Sequence, residues 1–124
     1  MDPNVEVLNP ASALASVGGD VDFLSEIAGL VRAAWPSLLR DNRQALAAGN
    51  LEAVESVARL AKAAAGYVSA GLTYQAAAQL QTMAVQRDLE GAKQVTANLE
   101  GEVAKLQPAL TNLNDILRRP LTVV

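Results

Sequence analysis

The chain contains no histidine and no cysteine, and these two absences exclude more chemistry than any motif supplies. Without cysteine there is no disulfide framework, no thiolate nucleophile and no thiolate metal site. Without histidine there is no imidazole base, no imidazole ligand and no phosphohistidine. Aromatic residues make up only 3% of the 124 residues, so the 51% apolar content rests on small and aliphatic side chains. Alanine and leucine supply most of it, and both favour helices. Charge of one sign is not concentrated anywhere: 10 basic and 13 acidic side chains give a net −3, and no nucleic-acid footprint is expected. No apolar run approaches the roughly 18 residues of a membrane span. The start of the chain lacks the basic and apolar regions of a signal peptide, so a cytoplasmic location and no membrane association are expected.

The length suits one domain spanning residues 1–124, large enough to bury roughly two thirds of the surface the unfolded chain exposes. Residues 1–9 read as an extended lead-in. Asn9 then caps a short helix with Pro10 at its first position, where a missing N–H does no harm. Gly18-Gly19 ends it. Asp20 or Asp22 caps a second helix, over residues 22–34, whose Phe23, Leu24, Ile27, Leu30, Val31 and Ala34 recur with helical period. Pro36 should kink or restart the helix, because its ring removes an interior hydrogen bond. Further helices are expected over residues 36–48, 51–70, 72–86 and 89–117. Gly49 ends the first of these, Asn50 and Asp88 cap the second and fourth, and Gly71 marks a break between the second and third. Pro108 should bend the last helix, and residues 118–124 read as a loose tail. Gly91 and Gly101 within it either admit a close neighbour or lie on the exposed face.

These elements predict an all-α fold, an antiparallel four-helix bundle with additional N-terminal helices. Ala61, Ala64, Ala76, Ala77 and Ala84 would form close seams. Along residues 50–70, Val54, Val57, Ala61, Ala64 and Val68 follow a 3, 4, 3, 4 spacing and are expected to face the core. Glu52, Glu55, Arg59, Lys62 and Gly66 fall opposite. Gly66 lies one turn beyond Lys62, and its bare backbone suits the close approach of a partner surface. Trp35 is expected in the core. Glu100 with Lys105, and Glu55 with Arg59, are candidate surface pairs.

The text Val17-Gly18-Gly19-Asp20, Phe23-Leu24, Leu38-Leu39, Ala45-Leu46 and Gly49-Asn50-Leu51-Glu52, followed by Ala61-Lys62-Ala63-Ala64-Ala65-Gly66, resembles the histidine-containing phosphotransfer (HPt) domain family. The likeness spans about residues 8–117. Members carry Ala-His-x-Leu-Lys-Gly at the last position. Ala61 and Gly66 match that motif. Lys62 stands where the phosphoacceptor histidine would be, Ala64 replaces the leucine and Ala65 the lysine that helps neutralise phosphate. Gly71 falls one place early for the family's later glycine. The resemblance thus implies the family's scaffold without its acceptor. A lysine cannot substitute chemically, because at an ordinary pKa of about 10.4 only on the order of one in a thousand is unprotonated near neutral pH.

By that resemblance, the expected function is a non-catalytic phosphorelay module that binds a response-regulator receiver domain or a histidine kinase without accepting phosphate. The implied contact residues are Arg59, Lys62, Ala63, Ala65, Gly66 and Ser69, flanked by Tyr67. No catalytic residue, cofactor or metal is expected. Asp41, Glu52, Glu55, Asp88, Glu90, Glu100, Glu102 and Asp115 include no Glu-x-x-His pair of a bundle metal site, and no phosphate loop or nucleophile elbow occurs. The alternative is a scaffolding or dimerisation protein unrelated to phosphorelay, which an apolar patch on a face away from Lys62 would favour. Homodimerisation is left open.

Overall fold

The structure is a computed structural model that describes residues 6–118, without the side chains of Asn114 and Arg118. The remaining lead-in residues and most of the expected tail lie outside the described residues. Five helices follow in order: α1 (Pro10–Ser16), α2 (Val21–Ala47), α3 (Leu51–Tyr67), α4 (Gly71–Val85) and α5 (Leu89–Arg118). α3 packs on α4, α4 on α5, and α2 closes the ring against both α3 and α5, while α1 touches α2. The expected four-helix bundle is therefore present, but α2 rather than a helix over 36–48 is its first member.

Four side chains start the helices as the sequence predicts. Asn9, Asp20, Asn50 and Asp88 accept from the backbone N–H of Ser12, Phe23, Ala53 and Gly91 at 2.9, 3.0, 3.1 and 2.8 Å. Each satisfies a donor that the first helical turn leaves free. α4 has no side-chain cap. Instead the lead-in serves it: Leu72 N–H donates to the Glu6 carbonyl at 3.0 Å, and Asn9 N–H donates to the Ser69 carbonyl at 3.1 Å.

The helix ends share one device. After α2, Asn50 N–H reaches back to the Ala45 carbonyl at 2.9 Å across Gly49, whose φ is 65°. α3 and α4 end in the same way, by Ala70 N–H to Ala65 and Asp88 N–H to Met83, both at 2.9 Å. The left-handed residue there is Ser69 (φ 54°) or Arg87 (φ 58°) rather than glycine. This corrects the placement of the break after α3. The turn pivots on Ser69, and Gly71 is already the first residue of α4, because the backbone closure selects the residue two places after Tyr67 whatever its side chain.

Pro36 does not divide the helix, contrary to expectation. α2 runs for 27 residues through it. Proline has no N–H, so the carbonyl of Arg32 four residues earlier loses its helical partner. The Gln107 side chain of α5 supplies one, its Nε2 donating to the Arg32 carbonyl at 3.0 Å. Arg32 Nη1 donates to Thr111 Oγ1 at 2.9 Å one turn further along. The break in the ladder is thus bridged from the neighbouring helix. Next to it, Trp35 is fully buried.

The core is built from Leu24, Ala28, Val31 and Trp35 of α2, Leu99, Leu106, Leu110 and Leu113 of α5, and small residues between α3 and α4. Ala58, Ala61 and Ala65 face Ala76, Ala77 and Leu80 across the α3–α4 seam. The α3 face is rotated slightly from the expected one. Ala58 and Ala65 are buried, whereas Val57 and Ala64 are half-buried at its edge. A 54, 58, 61, 65, 68 stripe fits the same period, and α4 on one flank pulls the buried arc toward itself. On the polar side, the Asn42 amide donates to Thr96 Oγ1 at 2.9 Å inside the α2–α5 interface. Glu100 pairs with Arg43 rather than Lys105, and its two contacts hold the guanidinium more firmly protonated than usual. Lys105 turns to Glu102 at 3.3 Å.

The two glycines of α5 separate cleanly. A side chain at Gly91 would meet the Asp88 carboxylate at 2.5 Å and Met83 Sδ at 2.6 Å, while one at Gly101 would meet nothing within 4 Å. Gly101→Ala should therefore raise unfolding free energy by about 0.5–1 kcal/mol, and Gly91→Ala should show no such gain in the same urea titration. Leu80, fully buried, should lose about 2–5 kcal/mol on change to alanine. Gln107→Ala should cost about 0.5–1.5 kcal/mol and markedly less in a Pro36→Ala background, where the restored N–H takes the Arg32 carbonyl. Equal costs in both backgrounds of this double-mutant cycle would show that the amide does not bridge the proline.

Candidate functional site

α3 turns one ridge of its surface outward between α2 and α4. Arg59, Ala63 and Gly66 lie along that ridge and are exposed. Their spacing of four and three residues puts them on successive turns of one face. Arg59 donates to Glu55 Oε1 at 2.9 Å along its own helix, as the sequence suggested. Such an exposed pair is worth only a few tenths of a kcal/mol, so the guanidinium is not committed.

Lys62 sits on the flank of the ridge nearest α4 and is half-buried. Its Nζ donates to Gln81 Oε1 at 3.1 Å and lies 5.6 Å from the centre of the Tyr74 ring. The ammonium is attracted to the ring face, and the amide fixes its direction. Lys62 therefore does not project freely. It is a cation parked across the α3–α4 seam, with the remaining ammonium protons available to an acceptor arriving over Gly66. That glycine leaves the approach open on its outer side, and the Tyr74 ring edge runs alongside at 3.8 Å from where a Cβ would be.

Two of the expected contact residues are placed differently. Ala65 is fully buried in the α3–α4 seam and offers no side chain to a partner. The rotation of the core stripe that buries Ala65 is the same one that half-exposes Ala64. Ser69 is half-buried in the turn, and its hydroxyl donates to Ser12 Oγ at 3.1 Å, which ties the turn to α1. Ser12, Gly66, Ser69, Gly71 and Tyr74 line a small pocket at this end of the ridge. Among the described residues no group of three acidic side chains gathers closely enough to hold a metal ion.

On the other flank of the ridge, sequence reasoning missed an apolar groove between α2 and α3. Phe23, Ile27, Leu30, Ala34 and Leu38 of α2 face Leu60, Ala63, Ala64 and Tyr67 of α3 across it. Phe23 and Leu30, read from the sequence as part of one apolar helix face, are 51% and 72% exposed. The signal was present in the sequence. The apolar positions of α2 form two stripes, Leu24-Ala28-Val31-Trp35 and Phe23-Ile27-Leu30-Ala34-Leu38, and one helix can bury only one of them against this bundle. Leu60, 60% exposed, likewise falls outside both versions of the α3 core stripe. The outward face thus joins three chemistries side by side: a tethered cation, a bare ridge and an oily furrow. No helix among the described residues is long and apolar enough to cross a membrane.

A search of protein-family models finds no match to the chain, and no curated protein matches it either. Among solved structures, it is similar to the crystal structure of the HPT domain from the Hpt sensor hybrid histidine kinase from Shewanella. The TM-score is 0.81 at 15% sequence identity, and the match covers 95% of this chain and 100% of that one. The chain therefore has the helical-bundle fold of an HPt domain.

Proposed function

We propose that this chain is a non-catalytic signalling module of the phosphorelay type, which binds a receiver domain or a histidine kinase through the α3 ridge and accepts no phosphate. The observation that carries the reading is the placement of Lys62. In a bundle with the fold of an HPt domain, it stands beside the exposed Gly66, at the position that the family motif gives to histidine. The chain has no histidine anywhere to carry the phosphoryl group.

The chemistry of the site agrees with binding rather than transfer. A protonated ammonium has no lone pair to attack an acyl phosphate, and it is a good partner for a carboxylate or phosphate oxygen. Gln81 and Tyr74 hold it in one orientation, so little freedom remains to be lost when an acidic partner docks. The ridge admits a close backbone approach at Gly66. The groove adjoining it adds the apolar contact that most stable interfaces need at their centre.

The groove also favours a second reading, a helical dimerisation or scaffolding protein, because it lies on the flank of α3 away from Lys62. The two readings part on which residues matter. In a calorimetric titration against a panel of receiver domains, the signalling reading expects at least one partner. Its affinity should fall tenfold or more with Lys62→Glu and with Gly66→Trp, both of which keep the far-UV spectrum of the native chain. A phosphorylated receiver mixed with the chain should lose no label to it. Binding unchanged by both substitutions, or no binding to any receiver or kinase, would leave the second reading in place.

A further inference from the structure

From Leu60 to Gln86 the chain carries one charged side chain, Lys62. The second half of α3 and all of α4 lie inside that stretch, although 19% of the whole chain is charged. The charges that flank the stretch do not fill it. Arg59 is already paired with Glu55 at 2.9 Å, and Arg87 and Asp88 lie in the turn beyond the far end of α4. Lys93 and Lys105, on α5, each stand beside a glutamate, at 3.4 and 3.3 Å. Lys62 is held instead by two neutral groups, the Gln81 amide at 3.1 Å and the Tyr74 ring at 5.6 Å. Among the described residues no carboxylate stands within ion-pair reach of it.

We infer that this face selects its partner in the phosphorylated state, with Lys62 as the side chain that reads the added charge. That selection rests on the signalling reading. Phosphorylation places about −1.5 to −2 charges and three strong acceptor oxygens at one point of a surface. A face of mixed charge would attract and repel such a group at once. Here it meets one cation and no acid. Gln81 accepts one of the three ammonium protons of Lys62, and two remain for phosphoryl oxygens. Ala63 and Gly66, which neighbour Lys62 on the ridge, are exposed and too short to shield it. Lys62 itself is half-buried, so the pull between the two charges is screened less than in open water. A carboxylate at the same point offers less charge and fewer oxygens, and an unphosphorylated partner gains less. The chain has no histidine to take the phosphoryl group over, so the phosphorylated partner is held without being discharged.

The test titrates the full chain into each labelled receiver domain of a panel, in two states, and reads affinity by fluorescence anisotropy. One state is phosphorylated and kept so by a small acyl phosphate donor. The other cannot be, because its acceptor aspartate is replaced by asparagine, and it is measured in the same buffer. The wild type should bind the phosphorylated state about tenfold more tightly, and added salt should narrow that gap. Lys62→Gln should bring the two states within about twofold of each other, and Lys62→Arg, which keeps the charge, should restore most of the gap. Arg87→Gln, a charge removed outside the face, should leave the gap unchanged. If Lys62→Gln costs the helical signal, Lys62→Met takes its place. A receiver bound equally in both states overturns the selection and leaves the signalling reading standing, as does a gap that survives Lys62→Gln or closes with Arg87→Gln. A panel in which no receiver binds in either state overturns both.

Discussion

A hydrogen bond across the α2–α5 interface, from the Gln107 amide to the carbonyl that Pro36 orphans in α2, spans the gap that proline leaves in the ladder of the helix forming one wall of the outward groove. Through that position α2 runs as one helix from Val21 to Ala47. Its two apolar stripes then keep a constant register along the bundle. One stripe, ending in the buried Trp35, goes into the core. The other is carried past α3 for its whole length and becomes one wall of the groove.

The same economy governs α3. It meets α4 largely through small side chains, with Leu80 of α4 buried among them. Lys62 lies at the edge of that seam, where Gln81 and Tyr74 receive it. The Lys62 side chain is a long arm held sideways by the Gln81 amide and the Tyr74 ring, and the proposal that this face docks a partner rests on that placement.

Much of this was legible in the sequence. The four capping side chains, the glycines after α1 and α2, the burial of Trp35 and the Glu55–Arg59 pair follow from local rules that tertiary structure did not override. What was not legible depended on partners far away in the chain. The bridging of Pro36 needs Gln107, 71 positions later by their numbers, and no local rule announces it. The choice of Ala58 and Ala65 over Val57 and Ala64 as core was a rotation of about one position, decided by which flank α4 occupies. It moved Ala65 from the expected contact surface into the interior. The break after α3 was misplaced for a different reason. Glycine is only the usual occupant of a left-handed helix end, and here Ser69 takes that conformation while Gly71 starts the next helix.

We place the meeting of this bundle with a signalling partner on the outward face of α3, with Lys62 on one flank. The most direct measurement is a residue-by-residue map of amide chemical shifts in the labelled chain as a receiver domain is added. Changes should concentrate from Arg59 to Tyr67, with Tyr74 and Gln81 following Lys62, and α5 should stay quiet. Changes gathered instead on the exposed side of α5 around Lys93 and Ala97, with the α3 ridge unmoved, would contradict it.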